Sequence, residues 1–272
     1  MFLTHKKSTF WFTLIALLVF GVAFLASLRA STLSGWLMPN DSPLQFRELQ
    51  GGLWQGEGQL YWQGREQTLA LGQVAWQHSA FSWLRFQPHL SLNYQRLGTQ
   101  LRLDTRFGLV QQDAHFQLQN ASLSLRDWRP VLAQLVPAIG AWLQGVEADL
   151  QGVQLQTDWR ANAQWLANTQ GSGELIGVTF LGERLPPIQL KLEQQQQILV
   201  LSIRAQEGWR LHGEIRIQPS VKSSSESLAW QYEGQLTLDA DQAEQMPNWA
   251  SLMRSTAPNR AEMRFQGQGL GR

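Results

Sequence analysis

A period-two alternation of apolar and polar residues, recurring from about residue 46 to the C-terminus, limits this chain to sheet-based folds. Leu101-Arg102-Leu103-Asp104-Thr105-Arg106-Phe107 follows it, as do His89-Leu90-Ser91-Leu92-Asn93-Tyr94 and Ala114-His115-Phe116-Gln117-Leu118. It returns at Ile188-Gln189-Leu190-Lys191-Leu192, at Leu211-His212-Gly213-Glu214-Ile215-Arg216-Ile217 and at Glu233-Gly234-Gln235-Leu236-Thr237-Leu238. Successive strand residues point to opposite faces, so each segment offers one apolar and one polar face. Turn signals at spacings of about ten residues predict an antiparallel meander. The expected fold is mainly β: an N-terminal transmembrane helix, then a large antiparallel meander-type domain over 46–272. That domain is a curved sheet, a sandwich or a groove, with one or two short helices.

Two segments break the alternation. Asp127 to Leu143 has an N-cap candidate in Asp127, Pro130 in its first turn, and Val131, Leu132, Leu135, Val136 and Ile139 at helical spacing. Pro137 and Gly140 are expected to kink or split that helix. Asp239 to about Ser255 is a weaker helical candidate, interrupted by Pro247. The breaks expose a weak repeat. Leu123-Ser124-Leu125 precedes the first helix and Leu236-Thr237-Leu238 the second, 113 residues apart; Ala148 and Met263 open the following strands, 115 apart. Ser220–Ser227 (SVKSSSES) reads as a loop tip.

The address of the domain is set upstream. Ser8 to Leu28 is a charge-free run of 21 residues between Lys6-Lys7 and Arg29. As a helix it matches the hydrocarbon thickness of a bilayer, roughly 30 Å at about 1.5 Å per residue. Secretory h-regions are shorter, roughly 7–15 residues, and end in small-residue sites, whereas Leu28 and Arg29 crowd the candidate site here. The run reads as an uncleaved single-pass anchor. The basic flank keeps residues 1–7 in the cytoplasm and sends the rest across the membrane. Residues 29–45 form a connector in which Trp36 and Leu37 suit the lipid interface.

Composition removes several chemistries. Net charge is +1 with 16% charged residues, so there is no basic stripe for nucleic acid. Cysteine is absent, which excludes disulfides, thiol catalysis and Cys-based zinc sites. His5, His78, His89, His115 and His212 lack metal-ligand spacing, and the last three fall on polar strand phases. Gly171-Ser172-Gly173 is the nearest approach to a nucleophile elbow and reads as a turn opening a strand. Gly51-Gly52 and Gly56-Glu57-Gly58 lack the lysine and following helix of a phosphate loop. Asp239, Asp241 and Glu244 read as first-turn acids complementing a helix dipole. No catalytic, cofactor or metal site is expected.

What recurs instead is tryptophan with glycine. The chain has 13 Trp and 12 Phe against 3 Tyr. Trp54, Trp62, Trp76 and Trp83 follow one another within 30 residues, interleaved with Gly52, Gly56, Gly58 and Gly64. These tryptophans serve either as core anchors or as the apolar contact surface for a protein partner or lipid.

With these residues the chain resembles the type II secretion system protein N family. The family's landmarks correspond to Gly51-Gly52-Leu53-Trp54-Gln55-Gly56, to Val74-Ala75-Trp76, to Phe86-Gln87-Pro88-His89-Leu90, to the helix after Ser124-Leu125-Arg126-Asp127, and to Gly267-Gln268-Gly269-Leu270. Pro137 within the middle helix and the run Gln194–Gln197 depart from the family pattern. The resemblance implies a non-enzymatic, single-pass inner-membrane protein with a periplasmic β domain. Its partners would be other inner-membrane components of the machine that exports folded proteins. The alternative is an AsmA-like envelope protein that handles lipid in an apolar β groove. A hydrolase has no supporting constellation.

Overall fold

The computed structural model describes residues 44–63, 68–135, 146–160, 166–219 and 229–270. The alternating segments become fifteen strands of one sheet, with every neighbouring pair antiparallel. They are β1 (Leu44–Gly51), β2 (Gln55–Gln63), β3 (Thr68–His78), β4 (His89–Arg96), β5 (Thr99–Gly108), β6 (Asp113–Ser124), β7 (Val146–Arg160) and β8 (Ala167–Phe180). There follow β9 (Glu183–Arg184), β10 (Ile188–Gln195), β11 (Ile198–Gln206), β12 (Trp209–Pro219), β13 (Ala229–Ala240), β14 (Arg254–Ala257) and β15 (Arg260–Leu270). Spatial order follows chain order with two exceptions. The two-residue β9 pairs only with β8, and β15 lies between β13 and β14. No second sheet stands against this one among the described residues, so of the three expected forms the sandwich is not adopted. The first strand begins at Leu44, which takes the last two residues of the expected connector into the sheet. The anchor run Ser8–Leu28, the part of the expected helix over 136–143 with the kink expected at Pro137 and Gly140, and the loop Ser220–Ser227 lie outside the described residues.

Register makes the alternation a continuous surface. Gly56 opposes Trp76, Trp76 opposes Leu92, and the row continues through Leu103, Leu118, Leu155, Gly171, Leu192, Leu201, Ile215, Gly234 and Phe265. Cross-strand partners share a face, so one apolar row crosses twelve strands. A neighbouring row on the other face runs Gln77, Ser91, Asp104, Gln117, Gln156, Gln170 and Glu193. Gly171-Ser172-Gly173 sits inside β8 and is not a turn; Leu155 overhangs Gly171, while Leu150 and Val153 overhang Gly173.

The helical segments differ from expectation in informative ways. Helix α1 (Ala80–Leu84) joins β3 to β4. Helix α2 (Leu125–Leu135) starts two residues before Asp127, because β6 runs straight into it. The Asp127 carboxylate accepts the Gly98 N–H of the β4–β5 turn at 3.1 Å, so it ties the helix to the sheet and does not cap it. Pro130 therefore falls in the second turn. The second candidate is no α-helix. Asp239 and Ala240 end β13, and two short 3-10 turns, Ala243–Gln245 and Asn248–Leu252, follow on either side of Pro247. Proline lacks the N–H that would carry one helix through. In both places a helical segment lies between strands that pair with each other, β6 with β7 and β13 with β15.

The buried core sits at this end of the sheet. Trp249 of the second 3-10 turn packs edge-on against Trp209, with centroids 5.7 Å apart, and against Phe180 at 6.3 Å. Leu211, Leu238, Ala240, Ala250, Met253 and Ala261 join them, with Leu238 wholly buried, and Ala148, Val178, Ile188 and Ala205 complete the cluster.

Candidate contact surface

At the opposite end of the strands lies the Trp-rich region. Gly52-Leu53-Trp54 turns β1 into β2, and the backbone carbonyl of Trp54 accepts the His78 N–H at 2.6 Å, which brings the end of β3 under the turn. Trp76 lies over Gly56 and donates its indole N–H to the Gly52 carbonyl at 3.0 Å. The glycine at 56 is required there, because a Cβ would lie 2.5 Å from Gln50 O and nearer still to the Trp76 ring. The spacing of Gly52, Gly56 and Trp76 is thus one packing unit across two hairpins.

Helix α1 then brings Trp83 edge-on to Trp54, centroids 6.3 Å apart at 82°. Trp54 and Trp76 are half-buried, while Trp83 is 43% exposed. Trp62 does not join them. It sits at the other end of β2, opposite Leu44 and Leu69. Three of the four tryptophans singled out from sequence are therefore gathered and the fourth is separate.

The residues that surround them are not marked by the tryptophan spacing. Phe81 is 80% exposed, Phe86 63% and Val110 83%, with Leu109 beside them at 51%. Leu109 N–H donates to the Phe86 carbonyl at 3.1 Å and Phe107 N–H to the Pro88 carbonyl at 3.0 Å, so the β5–β6 turn and the α1–β4 loop form one tip. The signal was present: Leu109-Val110 occupies a hairpin turn, where apolar residues have no packing reason to be.

Electrostatics near the tip come from histidines. His78 is half-buried and its Nδ1 is buried without a hydrogen-bond partner among the described residues. Burial, and then the neighbouring His89, hold its pKa below the ordinary 6.5. The unfolded chain thus binds this proton at a higher pH than the folded one. Stability is expected to be full above about pH 6.5 and to fall as pH drops from there through the lowered folded value. Denaturant midpoints of the full chain between pH 5 and 8 test this; His78→Phe should flatten the profile across that window.

The polar face is differently built. His115 Nδ1 meets Asp158 at 2.5 Å, and Asn168 donates to the same carboxylate at 2.7 Å. Burial works to raise the Asp158 pKa, but those two hydrogen bonds and the nearby Arg160 outweigh it and hold the group below its usual range. A shallow groove of about 1080 Å³ crosses β6, β7, β8 and β10, lined by Gln117, Gln156, Gln170, Lys191 and Glu193 and also by Leu118, Leu155 and Leu192. Among the described residues no three His, Asp or Glu side chains converge as a metal ion needs, and no helix is long and apolar enough to cross a membrane.

No curated protein and no solved structure matches the chain. The profile of the type II secretion system protein N family matches residues 42–260, from just before β1 to the start of β15. The match takes in the Gly52–Trp54–Gly56–Trp76 unit, the exposed tip and the Trp249 core alike. This chain belongs to the type II secretion system protein N family.

Proposed function

We propose that this component of the secretion machinery is a non-enzymatic inner-membrane protein. Ser8–Leu28 spans the membrane with residues 1–7 in the cytoplasm, and the sheet stands in the periplasm. Tethering raises the effective concentration of the sheet for membrane-bound partners. The Trp54–Trp83 tip, with Phe81 and Phe86, provides the contact surface for other inner-membrane secretion components. The observation that carries this reading is the family match, which extends over nearly the whole sheet. Exposed aromatics on a rigid support are what protein interfaces favour.

A clean deletion is expected to reduce secretion of the folded substrates, and the full chain to restore it. A version lacking residues 1–29, exported by a cleavable signal and shown to be folded, is expected not to restore it. Unimpaired secretion in the deletion would overturn the assignment, and full rescue by the untethered sheet would overturn the role of the anchor. The apolar row, which no second sheet covers among the described residues, lends support to the second reading, lipid handling in the envelope.

A further inference from the structure

We infer that the apolar row of the sheet holds the acyl chains of bilayer phospholipid. The row crosses twelve strands in register, which at about 4.8 Å per strand is roughly 50 Å of continuous apolar surface. Among the described residues, none of its side chains belongs to the buried core or packs on it. Leu103, Leu118, Leu155, Leu192, Leu201 and Ile215 remain half-buried, with no second sheet over them among the described residues. A surface of that extent is unfavourable in water and marks an occupied site.

The chemistry of the face selects hydrocarbon. The row itself carries no polar side chain. On adjoining positions Thr157 and Thr169 bond each other at 2.7 Å. The Gln194 amide is spent on Thr169 N, Leu166 O and Gln196 O. A peptide laid along this row would bring N–H and C=O groups to side chains that are all apolar, at a cost of several kcal/mol per unmet group. An acyl chain has no such groups to satisfy.

The source is set by the chain preceding the sheet. Ser8–Leu28 has the length and composition of a bilayer span, and the 15 residues 29–43 join it to β1 at Leu44. Fully extended, that link reaches at most about 50 Å, so the β1 edge of the face, beside which the row begins, stays within one link of a bilayer. The occupant is therefore a membrane phospholipid with its headgroup left in water. This inference rests on the proposed anchor but not on the secretion role: the deletion experiment can fail while lipid binding holds, and the reverse.

The test uses the wild-type full chain in vesicles of phosphatidylethanolamine and phosphatidylglycerol. A fraction of the lipid carries a diazirine near the end of one acyl chain. After illumination, adducts are mapped residue by residue by mass spectrometry, with labelling of Ser8–Leu28 as the internal reference. Label is expected on Leu118, Leu155, Leu192 and Leu201, exceeding that on Gln117 and Ser202 by about tenfold, the ratio that roughly two methylenes of differential burial give. Adducts confined to residues 1–43, or spread equally over both faces, would overturn the inference. So would exclusion of label from the row by a copurifying protein seated on it.

Discussion

Trp249→Ala is expected to lower the stability of the full chain by about 3–5 kcal/mol, the usual cost of emptying a buried Trp site. Trp249 closes the only end of the sheet where the described residues build a buried core, and it touches Trp209 and Phe180 edge-on. The backbone around it is a short 3-10 turn between Pro247 and the edge strand β14, so the cavity has little around it that can collapse. One term opposes the loss. The Trp249 indole N–H is buried without a partner among the described residues, and its removal relieves a penalty of about 1–3 kcal/mol. Trp249→Phe separates the two effects, because it keeps an aromatic ring and removes the orphaned donor. Its loss should be no more than about 1.5 kcal/mol. Urea titrations followed by Trp fluorescence measure both variants; equal losses would show that ring volume is not what Trp249 contributes.

The second large effect is at Gly56. Gly56→Ala should cost about 2–3 kcal/mol, at the upper end of what one added methyl group does in a packed site. The new Cβ meets the Gln50 carbonyl oxygen and the Trp76 ring together, so a side-chain rotation cannot relieve it and the β1–β2 hairpin must open. Opening withdraws the Gly52 carbonyl from the Trp76 N–H and costs that hydrogen bond as well. Trp76→Phe in the same chain removes the ring atoms nearest the new methyl group but leaves the Gln50 contact. The double variant should therefore be less destabilised than the two single losses added together, by about 0.5–1 kcal/mol of coupling. A Gly56→Ala loss below about 0.5 kcal/mol, typical of an uninvolved surface site, would mean that the glycine is not there for Trp76.

How far the sequence foretold this protein differs from element to element. Leu101–Phe107 and Leu211–Ile217 were legible because side-chain direction in a strand has a period of two and depends on nothing distant. The helix over Leu125–Leu135 was legible as an element, but its start was not. Asp127 looks like a cap until the β4–β5 turn brings Gly98 to it. Asp239–Ser255 misled because acids followed by apolar residues suit a helix, whereas β12 claimed Asp239 and Ala240, and β15 also paired with Asp239. Gly171-Ser172-Gly173 misled in the opposite sense. Its glycines look like turn residues until the side chains of β7 are seen lying over them.

The tryptophans divide along the same line. Sequence picked out Trp54, Trp62, Trp76 and Trp83 by their spacing, yet only the fold brings Trp83 against Trp54 and leaves Trp62 at the far end of β2. By itself the sequence determined that strands form, that each has an apolar and a polar side, and that an apolar run precedes them; these follow from local periodicity and composition. Tertiary structure decided the rest. Register carried the apolar sides into one row across twelve strands, and among the described residues only one end of that face received a buried core. Pairing between strands is a long-range choice, and no local pattern states which residue will lie opposite which.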